Sequence, residues 1–251
     1  MASDFRKNPV RVSCFECPLR KKKHFRPFTG EELDFVSHFK RGELNADAGA
    51  AVLVEGSHSA HLYTVLEGWA FRYKILEDGR RQILNYAVPG DMVGLQGAVM
   101  AEMQHSVEAL TPVTLCVFER KRLFQLFEKH SGLGFDLTWL AAREESILDE
   151  HLLSVGRRTA TERAAYLLAF LFERGRNAGL LDDDRRHVPV TQMHVADTLG
   201  LSIVHTNKTL KKLSERGLIQ WLDRGCEIVD PQGLQDVASW KPDDRTVRPL
   251  I

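Results

Sequence analysis

From about Ala50 to Glu119 short apolar and β-branched runs alternate with turn signals. The runs are Ala51–Val54, His61–Leu66, Trp69–Leu76, Gln82–Val88, Val107–Leu110 and Val113–Phe118. Glu55-Gly56, Glu67-Gly68, Asp78-Gly79, Pro89-Gly90 and Thr111-Pro112 punctuate them. Several short strands at this spacing predict one antiparallel β-roll. Asp78-Gly79 suits a tight hairpin, whose turn needs positive φ. Ahead of the block, Thr29-Gly-Glu-Glu32 has the form of a capping box and predicts a short helix. Behind it the hydrophobic period lengthens. Leu137, Leu140, Glu144, Ile147, Leu148, His151, Leu152 and Val155 recur at three- and four-residue steps, the mark of a stripe on a long helix. A lone helix after a β-roll has little of its own domain to pack on. The stripe is therefore read as a dimer interface of coiled-coil type, formed by Leu137, Leu140, Glu144, Ile147, Leu148, His151 and Val155, with packing inside one chain as the other reading. Gly156 is read as a hinge. Thr159-Ala-Thr-Glu162 offers a second capping box, opening an apolar helix over Ala164–Phe172 that centres a second core. Arg174 to Arg186 reads as a polar loop, its three aspartates (Asp182, Asp183, Asp184) solvated, and the residues from Lys241 onward as a loose tail.

The stretch from Val190 to Leu213 carries the most information about function. Thr191 caps a short helix whose inner face holds Val195, Ala196 and Leu199. Gly200 permits the left-handed conformation that turns the chain sharply. Ser202 then caps a second helix, with Ile203, Leu210 and Leu213 turned inward. This is a helix-turn-helix. The outer face of the second helix presents His205, Asn207, Lys208, Lys211 and Lys212, side chains able to reach base edges or pair with phosphates. With Thr191, Gln192, Ser202 and Thr206 they form the expected DNA-binding set. Thr206 and Thr209 also stand at packing positions, which their methyl groups fill only in part. Gly217 to Val229 reads as a β-hairpin wing turning at Arg224-Gly225. An αα-hairpin with a solvated lysine-rich face is the bland alternative. A short helix, glycine turn, basic helix and hairpin in succession is more specific than that.

Composition changes this picture little. The 251 residues carry 34 basic and 34 acidic side chains, so any DNA-binding surface is a local patch rather than a global field. The basic residues do cluster in the first 28: Arg6, Lys7, Arg11, Arg20, Lys21, Lys22, Lys23 and Arg26 face only Asp4 and Glu16, and read as a solvated arm. No apolar run approaches the ~18 residues needed to cross a bilayer, and charges from Asp4 onward interrupt any signal-peptide core. A cytoplasmic protein without a membrane partner is expected. Cys14, Cys17, Cys116 and Cys226 are then free thiols or metal ligands rather than a disulfide framework.

The order of β-roll, long helix and winged helix-turn-helix resembles the Crp/Fnr superfamily of transcription regulators. Val88-Pro-Gly-Asp-Met-Val-Gly94, Thr159-Ala-Thr-Glu-Arg163 and Val195-Ala-Asp-Thr-Leu-Gly-Leu-Ser202 carry the likeness, which extends from Cys14 to about Val237. It implies an α+β fold: a cyclic-nucleotide-binding-like antiparallel β-roll, a long dimerisation helix and a C-terminal winged helix-turn-helix. The divisions expected are a basic arm with a CxxC pair (1–28), the roll (29–130), the dimer helix and hinge (131–156), the DNA-binding domain (157–240) and a tail (241–251). It further implies a non-enzymatic regulator, a homodimer on a palindromic site, with double-stranded DNA and RNA polymerase as partners.

Two departures refine this. In the cAMP-binding branch an arginine clamps the cyclic phosphate; here His105 stands in its place, and an imidazole cannot give a bidentate charge. Cyclic AMP is therefore not the expected ligand, though a cyclic-nucleotide module stays as an alternative. The recognition helix reads Val204-His-Thr-Asn-Lys208 where the family often has Glu-Thr-Val/Ile-Ser/Gly-Arg, so the DNA sequence read is its own. The oxygen-sensing branch holds an iron–sulfur cluster, and by resemblance Cys14, Cys17 and Cys116 with His24 are the candidate ligands. Lys23 stands where a further thiolate is expected. Inert or directly oxidant-responsive thiols are the other reading, with Cys226 structural. A cupin-like metal site on His58, His61 and His105 is the remaining alternative, and it lacks tight ligand spacing.

Overall fold

The computed structural model describes residues 12–242 and 247–251, so Arg6, Lys7 and Arg11 of the basic arm lie outside the described residues. Two tight single turns, Cys14–Glu16 and Pro18–Lys21, lead to α1 (Gly30–Phe39). Its capping box forms: Glu32 N donates to Thr29 Oγ1 at 3.2 Å and Thr29 N to Glu32 Oε2 at 2.8 Å. The roll follows as β1 (Lys40–Ala46), β2 (Ala51–Leu53), β3 (His61–Glu67), β4 (Ala70–Ile75), β5 (Arg81–Ala87), β6 (Met92–Val93), α2 (Leu95–Met100), β7 (Ser106–Ala109) and β8 (Val113–Glu119). Two antiparallel sheets, ordered β1-β8-β3-β6 and β2-β7-β4-β5, enclose Leu53, Val65, Met103, Val107 and Leu115. β1 is the strand that the apolar pattern hid, because Lys-Arg-Gly-Glu opens it. Gly79, at φ 86°, makes the β4–β5 turn.

α3 (Leu123–Lys129) leads into α4 (Ser131–Arg157). The helix runs through Gly156 and breaks only at Arg158, so the glycine is not the hinge. The first turns of α4 close the outer face of the β1-β8-β3 sheet: Leu133 and Leu137 pack with Val36, Phe39, Leu62, Phe118 and Leu126. α5 (Ala160–Ala178) starts at the second capping box and ends at left-handed Gly179. It is longer than the apolar run foretold, and Arg174, expected in a loop, lies buried within it.

The remaining elements are β9 (His187–Val188), α6 (Gln192–Leu199), α7 (Ile203–Glu215), β10 (Ile219–Leu222), β11 (Gly225–Ile228) and α8 (Pro231–Ala238). β10-β11-β9 form a small antiparallel sheet, and the wing turns on Asp223-Arg224, one residue earlier than expected. α5 is nearly all buried because it serves two bodies. It centres α7 and α8, and it packs against Trp69, Phe71, Ile83 and Tyr86 on the outer face of the β4–β5 sheet.

The loose tail is overturned for its last four residues. Leu250 and Ile251 are 5% and 4% exposed, and the segment returns to the roll. Phe25 and Arg248 form a parallel bridge, with Arg26 N donating to Arg248 O and Arg248 N to His24 O, each at 2.8 Å. Thr64 Oγ1 donates to the Ile251 carbonyl. Leu250 fills the apolar pocket of Leu19, Phe25 and Leu66, which explains why the end stays down.

Candidate nucleic-acid interface

α6, Gly200 and α7 assemble as the sequence indicates. Thr191 N donates to His194 Nδ1 at 3.1 Å while His194 N donates to Thr191 Oγ1 at 3.2 Å, a capping box with histidine in the usual place of glutamate. Gly200 takes φ 64° and lets Leu201 N reach back to Ala196 O. Ser202 Oγ accepts from His205 N at 3.3 Å, opening α7. Leu210 and Leu213 anchor α7 on α5. Its outer face leaves Ser202, His205, Asn207, Lys208, Lys211 and Lys212 exposed, a run of amide, imidazole and ammonium groups on one side of a helix. Thr191 is exposed and Gln192 half-buried at the start of α6. Thr206 corrects the expectation. It is 1% exposed, turned into the core like Thr209, and cannot reach DNA. Sequence reading also passed over Arg224, which stands exposed at the wing tip.

The helix-turn-helix is fastened to the roll. Arg81 Nε donates to Asp197 Oδ2 at 2.8 Å, Gln82 Nε2 to Thr198 O at 2.9 Å, and the Tyr86 and Thr198 hydroxyls lie 2.9 Å apart. A second fastening centres on Asp91, in the Pro-Gly-Asp turn. Its carboxylate takes Arg174 from α5 on one oxygen and Arg248 from the C-terminal segment on the other, the latter at 2.6 Å. The two guanidinium groups hold the Asp91 carboxyl below the usual range despite burial.

Asp91 borders a cavity of about 550 Å³ between α2 and α4, also lined by Arg72, His105, Arg143, Glu144 and Arg174. Arg72 pairs with Glu144, which also accepts from Asn85 Nδ2 at 2.6 Å. Burial and neighbouring Arg72 push the His105 ring down to about 4, so it is neutral, and its Nε2 is buried without a hydrogen-bond partner. A neutral ring there cannot clamp a cyclic phosphate.

The expected dimer stripe splits. Leu137 is buried in its own roll and Leu140 packs beside it, Glu144 pairs with Arg72, Ile147 packs on the α5 core, and His151 lies edge-on to Tyr166 and Phe170. Leu148 is exposed and Val155 half-exposed. Together with Thr138, Ala141, Glu145 and Leu152 they trace a three-four rhythm along the outer face of α4, a seam rotated from the one the sequence suggested.

The cysteines are brought together without a ligand set. Cys17 and Cys116 border the Leu250 pocket, and Cys14 and Cys116 border the α1–β8 core. Burial pushes the Cys116 thiol up to about 11. Lys40 lies among them, its ammonium bonded to Glu43 Oε1 at 2.6 Å and Val12 O at 2.8 Å, and a protonated amine is no ligand. His24 is exposed. Among the described residues no three His, Cys, Asp or Glu side chains converge to hold a metal ion, so these residues do not fit an iron–sulfur cluster and none is assigned. The same holds for His58, His61 and His105: the first is exposed, the last buried. Cys226 is buried in the wing sheet, its thiol pushed up to about 12.

A winged helix-turn-helix behind a β-roll defines a DNA-binding regulator with a sensor-type domain. Residues 43–130 match the cyclic nucleotide-binding domain family and residues 162–237 the Crp-like helix-turn-helix domain family. The nitrogen fixation regulation protein FixK of Bradyrhizobium diazoefficiens is 32% identical over 90% of this chain and 94% of its own length. The transcriptional activator protein FnrL of Cereibacter sphaeroides is 29% identical over 82% and 83%. The structure of FixK2 from Bradyrhizobium japonicum superposes with a TM-score of 0.69 at 23% identity, covering 80% of this chain and 98% of that one. This chain belongs to the Crp/Fnr family of DNA-binding transcription regulators.

Proposed function

We propose that the chain works as a homodimer on a palindromic operator, each protomer placing α7 in the major groove of one half-site. The observation that carries this is the outer face of α7, where Asn207 and Lys208 stand clear of the core behind the glycine turn. The free seam of Leu148, Leu152 and Val155 on α4 supports pairing through that helix. The signal enters the roll. Its arginine-lined cavity suits a small anion that competes with Asp91 and Glu144 for their guanidinium partners, while the neutral His105 argues against a cyclic nucleotide. Cys14, Cys17 and Cys116 act, if oxidants are the input, as thiols rather than cluster ligands. RNA polymerase is the further partner, the cytoplasm the compartment, and no catalytic step is involved. Selection of bound sequences from randomised DNA tests the reading. It should return a two-fold symmetric motif whose half-site centres lie about 10–10.5 base pairs, or a multiple, apart. A single asymmetric site bound by one protomer would overturn it.

A further inference from the structure

A second cavity, of about 230 Å³, lies where the roll, α4 and the DNA-binding domain meet. Ile83 and Leu84 of β5, Leu148 and Leu152 of α4, Leu167 of α5 and Leu199 of α6 supply its apolar walls. No Asp, Glu, Lys or Arg lines it, in contrast to the arginine-rich cavity in the roll. Its polar features are few, and Gln82 Nε2 is already bonded to the Ile83 and Thr198 carbonyls. Thr198 Oγ1 is already bonded to Tyr86 and to the His194 carbonyl, and the Tyr166 hydroxyl lies 2.9 Å from His151 Nδ1. Two polar atoms are left over. Ser154 Oγ, on a residue 2% exposed, and His151 Nε2 are both buried without a hydrogen-bond partner. Buried polar atoms are rarely left unpaired, because their desolvation is not repaid. The His151 ring is fixed by Tyr166 and Phe170, and burial holds it neutral, its pKa pushed down to about 4. His151 and Ser154 both line the cavity, so one uncharged nitrogen and one hydroxyl stand unpaired at the wall of a largely apolar space.

We propose that this cavity is a binding site for a small uncharged, mainly apolar molecule carrying one hydroxyl, which donates to one of Ser154 Oγ and His151 Nε2 and accepts from the other. A charged ligand would be desolvated here with no counter-charge to receive it. A wholly apolar one would leave both polar atoms unpaired. All of the cavity's lining comes from one chain, and Leu148, Leu152 and Val155 among that lining are also the residues proposed above to pair with a second copy. Its occupant touches β5 and α6 at once, the two elements already joined by Gln82 with Thr198 and by Tyr86 with Thr198. Occupancy then biases how the helix-turn-helix sits on the roll, and DNA binding must bias occupancy in return.

The test uses the full chain and two probes of one shape, 4-fluorophenol and 4-fluorobenzoate, followed by fluorine NMR. The phenol should bind saturably. Leucine methyl shifts should move at Leu84, Leu152 and Leu199 and stay still at Leu126, in the far core. The benzoate should leave those methyls unmoved. Ser154→Ala should weaken phenol binding about fivefold to tenfold, the loss of one neutral hydrogen bond, and Ser154→Met, which fills the space, should abolish it. Absence of saturable phenol binding by the unaltered protein would overturn the proposal. So would methyl shifts confined to Leu95 and Leu140 in the roll cavity, or equal affinity in folded Ser154→Met.

Discussion

His105 and His151 occupy two different cavities, and both rings titrate near 4 instead of 6.5, chiefly because burial disfavours the imidazolium. Above pH 6.5 neither the folded nor the unfolded chain protonates them. Below it the unfolded chain takes up protons first, so stability falls as pH drops from about 6.5 towards 4. At pH 5 each ring should have cost about 2 kcal/mol relative to pH 7. Urea unfolding at both pH values should show this loss. The pair His105→Gln and His151→Gln should flatten the slope, partially, since His194 is shifted in the same direction. An unchanged slope in the double variant would refute the assignment. The family resemblance sets His105 where its cAMP-binding branch has an arginine, but it does not say that either ring is buried, because burial is decided by elements far along the chain. Thr206 shows the same limit. It stands at a packing position, three residues after Ile203 and four before Leu210, while its hydroxyl also suits contact with DNA, and burial places it inside.

Elements were legible wherever a local signal fixed their ends. Both capping boxes, the Thr191 cap, the Gly79 hairpin and the Gly200 turn form where their residues stand. β1 escapes the apolar pattern because three of its seven residues are charged, and α5 reads short because Arg174 looks like loop when its partner Asp91 is not in view. On α4 the apolar period marks a stripe without its orientation, since an amphipathic period does not say which body the apolar side faces. Leu137, Leu140, Ile147 and His151 pack inward, which leaves Leu148, Leu152 and Val155 for the pairing proposed above. Leu152 is 69% exposed in the single chain. Leu152→Glu should therefore leave the fold intact and weaken dimerisation about a hundredfold or more, as a charge is set in the seam opposite its own copy. Ile147→Glu should instead destabilise the protomer. Sedimentation against concentration separates these, and a folded Leu152→Glu protein that stays dimeric at the wild-type affinity would contradict the seam.

At the scale of the whole molecule, the order of domains was readable because each has its own period and turn chemistry. The joins between them were not. Asp91 meets Arg174 and Arg248 across 83 and 157 residues of chain, and no local pattern announces either contact. These joins matter because they connect the roll cavity to α5, and α6 to β5, so that a change in the roll can reach α6 and α7. The central claim is that α7 reads base edges. It is tested most directly by the affinity of Asn207→Ala for the selected operator and for random DNA at one salt concentration. A base-reading amide predicts a loss of about 1–3 kcal/mol on the operator and little on random DNA. Equal losses on both, or none on either, would contradict it.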